Sequence, residues 1–181
     1  FAVDHFGVVP DLMAVAKGMG SGYTAAGGVL VHRKIVQALE AGSGVLTHSF
    51  TYSGNPLMCA TASAVLQYLQ DNRLVERSAQ MGAVFLKKLK ELEELPYVGQ
   101  ARGLGLMLGL EFVEDKADKR PFANGFNFSA QLAAYCFQRG IVITGGVLGA
   151  ADGILGDALQ IAPPFIITEQ EIDRVVDTLR Q

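Results

Sequence analysis

The sequence predicts an α/β fold in two parts, in which mixed strand and helix leads into long helices and a smaller α+β unit follows. Three observations carry this. Short apolar runs of strand character precede stretches of helical recurrence over the first 95 residues. Pro96 closes a long amphipathic segment. Beyond it the pattern shortens, and apolar runs flank helical stretches, as in an α+β unit. The organisation that follows is a first part over 1–72, a linking helix over 73–95 and a smaller α+β part over 96–181.

Residues 11–16 read as a short buried strand leading to Lys17, and 18–22 as a turn. Residues 26–32 read as a second strand with Val29, Leu30 and Val31 at its centre. Residues 33–41 have the look of a short helix. Residues 42–53, rich in glycine, serine and threonine, read as a loop. From Asn55-Pro56 a long helix is expected, since proline suits a first helical turn and Leu57, Ala60, Ala64, Leu66 and Leu69 recur at helical spacing. A second helix over 74–95 places Leu86, Leu89 and Leu92 on one face and most of its lysines and glutamates on the other. After Pro96, strands are expected over 98–100 and 105–113, with a hairpin around Arg102-Gly103. Residues 114–125 form a charged loop, and 128–139 a helix that Gly140 stops. Strands over 141–144 and 158–162 follow. Thr168, with Glu171 three residues on, opens a terminal helix by the capping-box pattern.

Half of the 181 residues are hydrophobic and 18% are charged, which suits a chain buried on several sides. A net charge of −3 supplies no basic field for nucleic acid. No apolar run reaches membrane-spanning length, so no membrane partner is expected. Cys59 and Cys136 stand apart without metal spacing, and His5, His32 and His48 are scattered, so no metal site is expected and a reduced, cytoplasmic setting is the default.

Lys17 is the most informative residue. It closes the apolar run 12–16 and is followed at once by glycine. A lysine so placed is expected to be poorly hydrated, and a neutral amine attacks an aldehyde, so the setting suits Schiff-base chemistry. The glycines after it let backbone approach a bound group. By its residues alone the position also fits a surface lysine ending a short strand. The string Gly18-Met19-Gly20-Ser21-Gly22 lacks the spacing of a phosphate-binding P-loop.

Four blocks, in order, resemble the class III aminotransferases, pyridoxal-phosphate enzymes of fold type I. The first is Phe6-Gly7-Val8-Val9-Pro10-Asp11, then Ala16-Lys17-Gly18, then the glycine-rich turn into Ala26-Gly27-Gly28-Val29-Leu30-Val31. The second is Thr47-His48-Ser49-Phe50-Thr51-Tyr52-Ser53-Gly54-Asn55-Pro56-Leu57. The third is Arg102-Gly103-Leu104-Gly105-Leu106-Met107-Leu108-Gly109-Leu110-Glu111, and the fourth Ile161-Ala162-Pro163-Pro164-Phe165-Ile166-Ile167-Thr168.

The resemblance implies that residues 1–72 are the C-terminal part of a large, mainly parallel-sheet domain that binds pyridoxal 5'-phosphate, followed by the small domain. It implies that Lys17 holds the cofactor as a Schiff base and acts as the proton-moving base. It implies that Thr51 hydrogen-bonds the cofactor phosphate from the partner subunit of a homodimer with shared active sites. By its residues alone Thr51 also fits a hydroxyl satisfied by its own loop. Gly54-Asn55-Pro56 shapes the turn into the helix, with Asn55 as cap; Phe50 and Tyr52 either line the site or pack.

Arg102 is either in an exposed ion pair or near a substrate. The family's carboxylate-gripping arginine has no counterpart at Gln160 or elsewhere in 153–159. That departure leans toward an amine or ω-amino acid as donor and pyruvate or another keto acid as acceptor. The same scaffold also serves aminomutases and diaminopelargonate-type transaminases, and an inactive fragment is the third reading. The resemblance places the acidic partner of the pyridine nitrogen, the phosphate loop and the ring-covering aromatic upstream of Lys17, with Asp4 too close in sequence to serve. It therefore marks the chain as a C-terminal portion, expected not to transaminate by itself, with 96–181 its better-folded half.

Overall fold

A computed structural model describes residues 1–123, 125–148 and 155–181, without the side chain of Leu148. The chain falls into two compact units, Phe1–Asn72 and Arg73–Gln181.

The first unit opens on a single helical turn, α1 (Ala2–His5), and its next element is strand β1 (Leu12–Val15). A turn over Lys17–Met19 leads to β2 (Gly28–Val31), α2 (Arg33–Ala41) and the 16-residue α3 (Pro56–Asp71). β1 and β2 pair antiparallel, Leu12 opposite Val31 and Val15 opposite Gly28. The parallel sheet expected of a large domain is thus not represented by these two strands. The 12 residues between them, 16–27, hold one 3₁₀ turn and no α-helix, whereas a parallel pair is usually joined by a crossover helix. The ion pair of Lys34 with Asp11 at 2.6 Å ties α2 to the ribbon. The start of α3 is the one its sequence predicts. Asn55 Oδ1 accepts the N–H groups of Leu57 and Met58 at 3.1 and 3.2 Å, and Pro56 fills the first helical position.

Only two residues, Asn72 and Arg73, separate α3 from α4 (Leu74–Glu91), and Arg73 takes φ +51. The second unit continues with β3 (Val98–Leu104), β4 (Met107–Phe112), α5 (Phe128–Gln138), β5 (Thr144–Leu148), β6 (Asp157–Ile161) and α6 (Glu169–Arg180). Its strands form one antiparallel sheet in the order β3-β4-β6-β5. Phe85 and Leu89 of α4, Leu110 and Phe112 of β4, Leu159 of β6 and Ile172 of α6 are the fully buried centre. Part of this core therefore comes from before Pro96. Gly82 lets α4 lie on the β3–β4 turn, where an added Cβ would sit 2.1 Å from the Gly105 carbonyl oxygen.

Two sequence expectations shift. The hairpin turns at Gly105-Leu106 rather than Arg102-Gly103, because Arg102 is still paired across the ladder with Gly109 and Gly105 supplies the bend at φ +55. The strand expected over 141–144 begins only at Thr144. α5 stops at Gly140 (φ +76), and β6 offers partners from Thr144 opposite Gln160 onward. Ile141 nevertheless reaches the core. The capping box of α6 forms as read, with Thr168 Oγ1 accepting from Glu171 N–H and the Glu171 carboxylate accepting from Thr168 N–H. Those Thr168 hydrogen bonds hold the Glu171 carboxyl below its ordinary value.

A buried polar contact fixes α5. Asp157, 3% exposed, accepts from Ser129 N–H at 3.0 Å and from Ser129 Oγ, and Ser129 Oγ accepts from Gly146 N–H at 2.7 Å. A carboxylate on β6 thereby sits at the positive end of α5 and ties it to β5. Among the described residues, no helix is long and apolar enough to cross a membrane.

Candidate active site

Lys17 begins the turn after β1 and takes φ +52, a backbone region that non-glycine residues enter at a cost and that clusters at functional sites. Its carbonyl accepts from Gly20 N–H at 3.0 Å. Gly20 is required there, since a Cβ would meet the Thr24 carbonyl oxygen at 2.3 Å. The lysine is exposed, contrary to the poorly hydrated setting expected of it. The reason lies in the ribbon that carries it: within this unit Met13 and Val15 are only half-buried, and Leu12 and Val29 are 58% and 59% exposed. Among the described residues Lys17 Nζ makes no ion pair or hydrogen bond.

Thr51 lies in the turn before α3, exposed, its hydroxyl without a hydrogen-bond partner among the described residues. The alternative of a hydroxyl satisfied by its own loop is therefore not what the chain adopts. The Lys17–Met19 turn packs against α3. This brings the two loops to one hollow of about 260 Å³, lined by Met19, Gly27, Tyr52, Ser53 and Cys59 among others. Lys17 and Thr51 flank these residues in sequence, but neither lines the hollow. Phe50 and Tyr52 both line it, and both remain largely exposed.

A cleft of about 720 Å³ lies elsewhere, in the second unit along β3. Its carboxylates are committed, Glu111 to Arg102 and Glu93 to the Ala101 N–H; Arg102 lines it, and Lys17 and Thr51 do not. Arg102 thus takes the ion-pair role. Gln160 is exposed on β6, opposite Thr144 and Gly109. The rest of the segment compared with the family's arginine, residues 153 and 154, lies outside the described residues.

Sequence reading missed Arg77. Its Nε donates to the Phe165 carbonyl at 2.9 Å and its Nη2 to that of Ile167 at 2.8 Å, which pins the segment after Pro163-Pro164 to α4. Nothing local in the sequence signals a partner 88 to 90 residues away. Every arginine of the second unit is hydrogen-bonded to, or ion-paired with, a carboxylate or carbonyl within it. Among the described residues, no group of three or more His, Cys, Asp or Glu could hold a metal. Cys136 is fully buried and burial pushes its thiol up, while Cys59 is exposed.

Comparison with known proteins identifies the family. The family model for class-III aminotransferases matches residues 1–181. An uncharacterized aminotransferase of Schizosaccharomyces pombe is 38% identical over 179 residues, covering 98% of this chain and 39% of its own length. A thermostable (S)-enantioselective omega-transaminase from Thermomicrobium roseum superposes with a TM-score of 0.88 at 40% identity, over 99% of this chain and 38% of that one. An amine transaminase from an uncultivated Pseudomonas species, solved with pyridoxal phosphate bound, gives a TM-score of 0.88 at 31% identity, over 99% and 39%. The chain thus spans about two fifths of the length of the relatives it matches.

Proposed function

This chain belongs to the class-III aminotransferase family, and on that premise we propose that it serves a pyridoxal-phosphate-dependent transaminase. The enzyme moves an amino group from an amine or ω-amino acid to a keto acid such as pyruvate. The observation that carries the reading is Lys17, an exposed amine with no partner among the described residues, on a left-handed backbone position and followed by glycine.

The residues present fit the cofactor. A free primary amine suits its aldehyde, and a free hydroxyl at an exposed turn suits its phosphate. When bound, pyridoxal phosphate supplies that aldehyde and an electron-withdrawing ring. Lys17 Nζ would anchor the group, and its free amine would accept and return the migrating proton. A lysine serves both purposes because it can lose its proton, which an arginine does not. Thr51 Oγ1 donates to the phosphate. We place that contact across a homodimer, each copy lending its Thr51 to the other's site; the outward position of Thr51, away from the hollow it adjoins, supports this. The arginines of the second unit are committed to internal partners, and Gln160 offers a neutral amide where parts of the family carry a carboxylate-binding arginine. Both favour an amine or ω-amino donor, in keeping with the omega- and amine transaminases that the chain resembles.

The test is to supply the complete protein with pyridoxal phosphate, a primary amine and pyruvate, and to measure alanine. Its absence with every amine and ω-amino acid donor tried would remove the reading. Thr51→Ala is expected to weaken cofactor binding by about 1–2 kcal/mol, the order of one hydrogen bond to a charged group. A titration showing unchanged affinity would remove the phosphate role of Thr51.

A further inference from the structure

We infer that Ser53 is a positioning residue for the Thr51 hydroxyl, an inference that rests on reading Thr51 as a phosphate contact. Phe50 N–H donates to Ser53 Oγ at 3.0 Å, and Ser53 N–H donates to the Phe50 carbonyl at 2.9 Å. These two bonds close residues 50–53 from both ends, one through backbone and one through side chain, and leave Thr51 and Tyr52 as the crown of the turn.

The crown is also tied to α3. Asn55 N–H donates to the Tyr52 carbonyl at 3.1 Å, Gly54 takes φ +70, and Asn55 caps the helix. Of the two aliphatic hydroxyls in the turn, that of Ser53 is committed to Phe50, while that of Thr51 has no partner among the described residues. One shapes the loop and the other is presented by it. A hydroxyl held in place before its ligand arrives loses less freedom on binding, so removing the closure weakens the contact without removing the contacting atom. Alanine at 53 leaves the Phe50 N–H to water and lets the turn open; threonine keeps the oxygen.

The experiment titrates the complete apoprotein with pyridoxal phosphate and, separately, with unphosphorylated pyridoxal, following absorbance. The proteins are the wild type, Ser53→Ala, Ser53→Thr, Thr51→Ala and the Thr51→Ala/Ser53→Ala double variant. Ser53→Ala is expected to weaken pyridoxal phosphate about 5–10-fold and to leave pyridoxal within about twofold. Ser53→Thr is expected to restore the affinity, and Ser53→Ala to add nothing once Thr51 is gone. If Ser53→Ala binds as tightly as the wild type while Thr51→Ala is weakened, the role of Ser53 is overturned and that of Thr51 stands. Equal loss for pyridoxal, or additive losses in the double variant, overturns it as well, because Ser53 then acts independently of Thr51. Unchanged affinity in Thr51→Ala overturns the phosphate reading and this inference with it.

Discussion

Replacing Lys17 by alanine in the complete protein is expected to abolish transamination while leaving the fold intact. The loss should exceed about 10⁴-fold, the upper end for a lone acid–base group, because the anchoring amine and the proton carrier disappear together. The fold should survive because Lys17 is exposed, makes no side-chain bond among the described residues and occupies a costly backbone position. Steady-state rates with an amine and pyruvate, beside circular dichroism of the same sample, measure both halves. A variant that keeps more than about 1% of the rate would show that Lys17 does not carry the chemistry, since even a single acid–base group gives at least ~10².

The second large effect is on stability. Asp157→Ala is expected to lower the stability of the Arg73–Gln181 unit by about 3 kcal/mol. It removes the acceptor of two Ser129 donors in a site where Ser129 is fully buried, and a buried donor left unpaired costs about 1–3 kcal/mol. Asp157→Asn keeps an acceptor oxygen but loses the charge at the start of α5, so about half that loss is expected. Urea unfolding of the complete protein, with hydrogen exchange along α5 as the local readout, measures it. An unchanged midpoint together with unchanged protection of α5 would show that the contact does not hold the unit together.

The elements that could be read from sequence are those whose signals are local. Asn55-Pro56 and the Thr168/Glu171 pair mark helix starts because cap and capped groups lie within three residues of each other. β1 and β2 announce themselves through the apolar runs around Met13 and Leu30. The hairpin was harder, since Gly103 and Gly105 can both turn. The choice falls to whichever register sends Leu108, Leu110 and Phe112 into the core. Nor can a local window reveal the contacts of Asp157 with Ser129 or of Arg77 with Phe165, which span 28 and 88 residues.

The candidate site divides the same way. Lys17 and Thr51 were expected as site residues from their surrounding blocks. The exposure of Lys17 was not, because hydration depends on what packs against a strand rather than on the strand's composition. Ser53 carried a weak signal, a serine in a glycine-bearing turn, but its partner became visible only once the turn was closed.

We propose Lys17 as the lysine that holds the cofactor. Borohydride reduction of the complete protein loaded with pyridoxal phosphate fixes the group covalently to whichever lysine carries it, and peptide mapping then locates it. A single labelled peptide with the pyridoxyl group on Lys17 is the expected result. A label on any other lysine, with Lys17 unmodified, would contradict it.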